Sequence, residues 1–382
     1  METLEKFHEI ARDPFSFARA AKAAGGMNIM GYVCSYAPIE IISAAGFLPF
    51  RIFGQGKNSE KADAHLQSYC CGHVRNALSD AISGELDFLD GTIFPHTCDS
   101  IQRLSDLWRM NTDFGFHYDL VVPVKVSGEN AEKYMTAVLR RFRNELESAF
   151  QIEISDDKIR AAADKYNRIR SGLKRLYALR LESPGAISGS DMHAALRAFM
   201  SMDPDRFLDM LEALMKHLEA SGPLAGERDG QDGATPKRLM ISGGICDSPD
   251  FYSFIEEAGG VVVQDDLCSG SRSFSEQIDL NGDIIESIGK SYLKRIVCPS
   301  KHDDLYARGN RLLESAKKAK ADGVVFIFLK FCDPHLFDYP WLRNLLKENG
   351  IDSIMFEMED KFLPDGPFKT RMEAFLEMAR NR

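Results

Sequence analysis

Apolar positions follow two periods along the chain, and their order predicts two α/β lobes around a helical middle. In the first lobe PIEIISAAG has the spacing of a short helix and FLPFRIFG that of a strand. Ser68 to Gly84 returns to helical spacing, GTIFP is a short buried strand, and CDSIQRLSDLWRM is helical again. DLVVPVKV is expected to be a further strand, closed by Gly128. From Ala131 to Ser221 the pattern is helical with charged faces, broken by SPGAISGSD and by Asp203–Pro204, an N-cap followed by a first-turn proline. Gly222–Pro236, rich in glycine, proline and charge, is the clearest linker.

Beyond it strands and helices alternate. KRLMISGG, GVVVQDD, GVVFIFLKF and DSIMFEM are expected as strands. SPDFYSFIEEAGG, Asp303–Asp322, the residues after Tyr339 and the closing MEAFLEMARNR are expected as helices. The division is an N-terminal α/β lobe over 1–128, a helical segment with its linker over 129–235, and a C-terminal α/β lobe over 236–382. The expected class is α/β, two parallel-sheet lobes joined by helices, with a crevice between the lobes.

A chain of 382 residues has room for such an arrangement at roughly 150 residues per domain. The net charge of −10 argues against a dedicated nucleic-acid surface, because phosphate binding is dominated by cationic side chains. METLEKFHEIARDPFSFARAAKAAGG is charged throughout and lacks the apolar core of a signal peptide. No apolar run approaches the ~18–20 residues of a membrane-spanning helix, so neither a membrane nor a nucleic acid is expected as partner. The chain is read as cytoplasmic, where disulfides are disfavoured, and its eight cysteines need another account. Burial as small hydrophobes is the ordinary one, and Cys34 in GYVCSYAP fits it.

A short internal repeat points elsewhere for two of them. LDGTIFPHTCDS and ADGVVFIFLKFCDPH share Asp-Gly, an apolar strand and a following Cys-Asp, although Gly91 to Cys98 is seven residues and Gly323 to Cys332 nine. Both cysteines are thereby expected at the carboxyl ends of parallel strands, where open sheets bind ligands. Cys71 in SYCCGHVRN lies near a helix start, where the partial positive charge favours a thiolate, with Arg75 one turn on. Adjacent Cys70 should face another way, so one of the pair is expected as a ligand.

Zinc is the rival reading, with His96 and His335 completing a site; otherwise both histidines line the crevice mouth. The chain has no C-x2–4-C pair, and separated thiolates suit an iron–sulfur cluster better. ISGGICDSPDF is a tight turn without a dinucleotide fingerprint, and no P-loop is present. Cys268 and Arg272 stand at another strand end, facing the crevice or serving packing.

The chain resembles, nearly end to end, the family of 2-hydroxyacyl-CoA dehydratase and ATP-dependent benzoyl-CoA reductase subunits. The resemblance runs through GYVCSYAPIEIISAAGFLPFRI, SYCCGHVRNAL, LDGTIFPHTCDSIQRLSDLW, ISGGICDSPDFYSFIEEAGGVVVQDDLCSGSR and FLKFCDPHLFDYPWLRNLLKENGIDSIMFEMED. It implies a 4Fe-4S cluster on Cys71, Cys98 and Cys332, in the crevice between the lobes. FPHTCDSIQRLSDLWRM is most similar to the smaller cluster-bearing subunit of benzoyl-CoA reductase. The partners implied are a paralogous cluster-bearing subunit, an ATP-hydrolysing iron–sulfur activator, and an aromatic or 2-hydroxy acyl-CoA. In the reductase, low-potential electrons reduce the aromatic ring; in the dehydratase, one electron makes a ketyl radical from the thioester and the 2-hydroxyl leaves. Two alternatives are a non-catalytic electron relay and a double-cubane cluster protein, which would recruit Cys268 and Cys298. CCGHVRN and HTCDSIQRL depart from the pattern expected of the latter.

Overall fold

GTIFP is buried at all five positions and GVVFIFL at six of seven, a burial that calls for cover on both sheet faces. The computed structural model, which describes residues 2–55, 60–220, 235–295, 297–304, 306–358 and 366–380, provides that cover in both lobes. The N-terminal lobe runs α1 (Glu2–Arg12), α2 (Pro14–Ala23), β1 (Asn28–Tyr32), α3 (Ile39–Ala44), β2 (Phe47–Arg51), α4 (Glu60–Asp63), α5 (Gly72–Ile82), β3 (Gly91–Pro95), α6 (Asp99–Asn111) and β4 (Phe116–Leu120). Four helices follow: α7 (Glu129–Phe150), α8 (Asp156–Glu182), α9 (Gly189–Phe199) and α10 (Pro204–Ala220). The C-terminal lobe runs β5 (Lys237–Gly243), α11 (Pro249–Glu257), β6 (Gly260–Asp266), α12 (Ile284–Arg295), α13 (Ala307–Lys318), β7 (Gly323–Leu329), α14 (Asp333–Glu348), β8 (Asp352–Met358) and α15 (Gly366–Arg380).

The two sheets have one topology. Their orders are β2-β1-β3-β4 and β6-β5-β7-β8, parallel throughout, so in each the first strand lies between the second and the third. The strand order reverses there, which opens a crevice at the carboxyl ends. β3 and β7 are equivalent strands, and they are the two that carry the sequence repeat.

One apolar core lies between the N-terminal sheet and the helical middle, and it takes in Ile284, Ile288 and Tyr292 of α12. A second covers the other face of that sheet, and two more flank the C-terminal sheet. The first core contains a charged pair, Arg170 on α8 with Glu40 on α3, both fully buried. The Tyr292 hydroxyl stands 2.8 Å from the second Glu40 oxygen. Burial raises the Glu40 pKa, but Arg170, Arg295 and Tyr292 outweigh it, and the carboxyl ends below its ordinary 4.5.

Two expectations need correction. DLVVPVKV is not a strand: β3 pairs instead with Phe116–Leu120, and the chain leaves the sheet at Val121. Pro123 has no N–H for a ladder, and Val121 and Val124 are exposed. The helix expected after Tyr339 starts earlier, at Asp333, with Pro340 in its interior, so the proline does not mark its beginning. Residues 222–234 of the expected linker lie outside the described residues. Among those described, no helix is long and apolar enough to cross a membrane.

Candidate metal centre

Each of the three singled-out cysteines caps a helix. Cys71 precedes α5, Cys98 precedes α6 and Cys332 precedes α14, and their carbonyls accept the first intrahelical bonds from Val74, Gln102 and Leu336 at 3.0, 3.1 and 3.1 Å. An N-cap thiol faces the free first-turn amides of its helix. The following Asp99 and Asp333 place a carboxylate in the first turn, where the helix dipole favours it.

Local structure aims each one. Cys98 lies three residues past the end of β3 and Cys332 three past the end of β7; the unequal spacing in the repeat is strand length, five residues against seven. Phe331 turns the chain into α14 from the left-handed region, φ 65°, a conformation that a bulky residue adopts at a cost. Cys71 is aimed by His73, whose Nδ1 lies 2.8 Å from the Phe53 carbonyl just beyond β2. Its Nε2 lies 3.3 Å from the Val33 carbonyl, and burial lowers the His73 pKa, so a neutral ring has one N–H facing two carbonyls.

The three cysteines line one cavity of about 1380 Å³, together with Cys298, Lys301, Arg308 and an aromatic rim of Tyr306, Phe331, Phe337 and Trp341. The cavity lies at the carboxyl ends of both sheets, with α5 and α6 on one side and α13 and α14 on the other. Phe337 on that rim is 85% exposed. Cys70 is buried but does not line the cavity; its Sγ lies 3.9 Å from Gln67 Oε1, with Arg103 and Ser100 near.

Burial dominates the electrostatics. It pushes the Cys98 thiol up to about 12 despite the Ile101 and Ser100 amides, with Cys71 and Cys298 adding to the rise. Burial likewise raises Cys332, helped by Cys71 and Cys98, and opposed by the His335 amide. Cys71 is raised by burial over the Val74 and His73 amides. No thiol forms a complete side-chain capping bond, so the helix start alone does not make the Cys71 thiolate, contrary to expectation. Arg75 pairs with Asp63 at 2.7 Å.

Neither histidine offers a zinc ligand. His96 Nε2 is 2.8 Å from Asp119, and His335 is buried against Phe328 with Arg308 at its Nδ1; neither lines the cavity, contrary to the expected place at the mouth. Among the described residues no three His, Cys, Asp or Glu side chains are grouped closely enough for a single metal ion. A cluster asks for something different, because its thiolates bind separate iron atoms and stand farther apart. Three thiols converging from three helix N-termini fit a cluster, with His302 the one histidine among the lining residues.

Of the remaining cysteines, Cys246 is fully buried. Cys268 does not line the cavity; its sulfur accepts from Arg272 at 3.5 Å, and Arg272 is held by Asp266. Cys34 is only partly buried and meets Thr97 at 3.6 Å. Lys301 and Arg308 are lining residues that the sequence pattern does not reveal. They sit in or beside VCPSKHDD, which has no periodicity, and only the Cys-Pro turn marks the segment.

The family model described as 2-hydroxyglutaryl-CoA dehydratase, D-component, matches residues 34–379. A benzoyl-CoA reductase subunit of Thauera aromatica is 31% identical over 90% of this chain and 89% of its own. The (R)-phenyllactyl-CoA dehydratase beta subunit of Clostridium sporogenes is 24% identical over 97% of each. The beta subunit of (R)-2-hydroxyglutaryl-CoA dehydratase from Acidaminococcus fermentans is 27% identical over 98% of each.

Proposed function

The chain belongs to the 2-hydroxyglutaryl-CoA dehydratase, D-component, family, and from that premise we propose that it is the iron–sulfur subunit of a benzoyl-CoA reductase driven by ATP. The observation that carries the reading is the convergence of Cys71, Cys98 and Cys332 on one cavity from three helix N-termini.

In this reading the three thiolates hold a 4Fe-4S cluster, which supplies low-potential single electrons to the aromatic ring of a CoA thioester. Binding iron takes the proton from each buried thiol, and the first-turn amides then face an anionic sulfur. Val126, Leu293 and Phe331 give the cavity apolar patches within a wall that is otherwise largely polar and charged. The remaining volume admits the acyl end of a thioester. The electrons come from an ATP-hydrolysing iron–sulfur activator, and a paralogous cluster-bearing subunit closes the site, all in the cytoplasm.

The second reading is a subunit of a radical 2-hydroxyacyl-CoA dehydratase. It is favoured by the dehydratase relatives, which align over nearly the entire chain. Anaerobic reconstitution with the paralogous subunit, the activator, reductant and ATP separates the two. Loss of aromatic absorbance from benzoyl-CoA supports the reductase, and an enoyl-CoA from a 2-hydroxyacyl-CoA supports the dehydratase. Turnover by this chain alone without ATP overturns both.

A further inference from the structure

Lys301 stands in the wall of the cavity, only 8% exposed. Its segment is clamped to the first lobe. His302 N donates to the Val124 carbonyl and Val126 N to the His302 carbonyl, both at 2.8 Å, and Lys301 N donates back to Cys298 at 3.1 Å. Its Nζ donates to the His96 carbonyl at 3.2 Å, two residues before Cys98, and lies 3.5 Å from the Val122 carbonyl.

Among the described residues no carboxylate pairs with this ammonium. Burial lowers its pKa, and only ionised sulfurs at Cys298, Cys34 and Cys98 would oppose the fall, whereas burial keeps those thiols protonated while no metal is bound. Two carbonyls satisfy two of its three donors but bring no net charge. A buried cation without a counter-charge is unfavourable, which an anion bound in the cavity would relieve. Asp99, Asp303, Asp304 and Asp333 also line the cavity but none pairs with Lys301; on the reading given above, the thiolate-bound cluster is the further anionic group there.

We propose that Lys301 is the fixed counter-charge of the cluster held through Cys98, raising its midpoint potential. This rests on the iron–sulfur reading. A positive charge at short range favours the more negative, reduced state, and cluster potentials follow local charge and burial. The lysine thus keeps a deeply buried cluster within reach of its electron donor. It acts through the cluster and is a positioning residue.

The test is a potentiometric titration followed by electron paramagnetic resonance on anaerobically purified wild type, Lys301→Met and Lys301→Arg. Iron and sulfide should be equal in all three. At a fixed poise the reduced-to-oxidised ratio of Lys301→Met should fall about tenfold, ~59 mV for a one-electron couple. Lys301→Arg should stay near wild type. An unchanged midpoint in fully loaded Lys301→Met overturns the counter-charge. Loss of iron from Lys301→Met alone also overturns it, by making the residue structural. A wild type without iron overturns the cluster reading itself, and the counter-charge with it.

Discussion

Cys98 and Cys332 occupy the same place in two copies of one topology: each caps a helix three residues beyond the third strand of its sheet. A crevice formed at the carboxyl ends of β3 and β7 therefore receives one thiol from each lobe. Cys71 supplies the third from the helix that precedes β3, outside the repeated segment. The site is assembled by the packing of lobes, so its integrity is tied to the contacts that hold them.

Cys70 and Cys71 are neighbours with different surroundings, the cavity for Cys71 and Gln67 for Cys70. Cys71→Ala should lose most of its iron, and Cys70→Ala should keep it. Iron assays on the two purified variants decide the point; the reverse outcome moves the ligand to Cys70.

Arg170 and Glu40 join α8 to α3 inside the first core. Arg170→Met leaves the carboxylate buried without its partner and should destabilise the chain by about 3–5 kcal/mol. Adding Glu40→Gln should recover part of that. Urea denaturation of the single and double variants measures both.

The same pair sets an acid limit. The folded Glu40 pKa lies below its ordinary 4.5, so its contribution is fully present above about pH 4.5 and is lost as pH falls through the folded value. The stability gap between wild type and Glu40→Gln should therefore be constant from pH 7 to 5 and narrow at lower pH. A gap that widens in acid contradicts the assignment.

Gly54 holds φ at 80°, and a Cβ there would stand 2.7 Å from the Ala77 backbone nitrogen of α5. Gly54→Ala should cost about 1–3 kcal/mol from backbone strain alone. Because α5 carries Cys71 at its start, iron content should fall with the melting temperature. A variant that melts like wild type shows that α5 can shift without penalty.

Much of this arrangement is legible in the sequence, and the exceptions have physical causes. GTIFP, KRLMISGG and GVVFIFLKF announce their strands because buried parallel strands are apolar nearly throughout. NIMGY of β1 is short and carries Gly31 and Asn28, which hide it. FHYDL is overshadowed by the more apolar DLVVPVKV, since an edge strand with one neighbour needs less apolar character. The α12 segment gives no clear signal, though its buried side chains tie the second half to the first core. At the site, Cys98 and Cys332 can be paired from the Cys-Asp repeat. Their meeting with Cys71 is implied only by the resemblance, because convergence depends on how the lobes pack, which no local pattern encodes. The wall residue Lys301 lies in a clasp whose only signals are tertiary hydrogen bonds.

The most direct test is the iron and acid-labile sulfide content of anaerobically purified wild type, Cys98→Ala, Cys332→Ala and Cys34→Ala. Jointly held clusters depend on each ligand, so the account predicts iron and sulfide in equal amounts in wild type and Cys34→Ala, and their loss from Cys98→Ala and Cys332→Ala. Equal iron in wild type and both ligand variants, or a wild type free of iron, would contradict it.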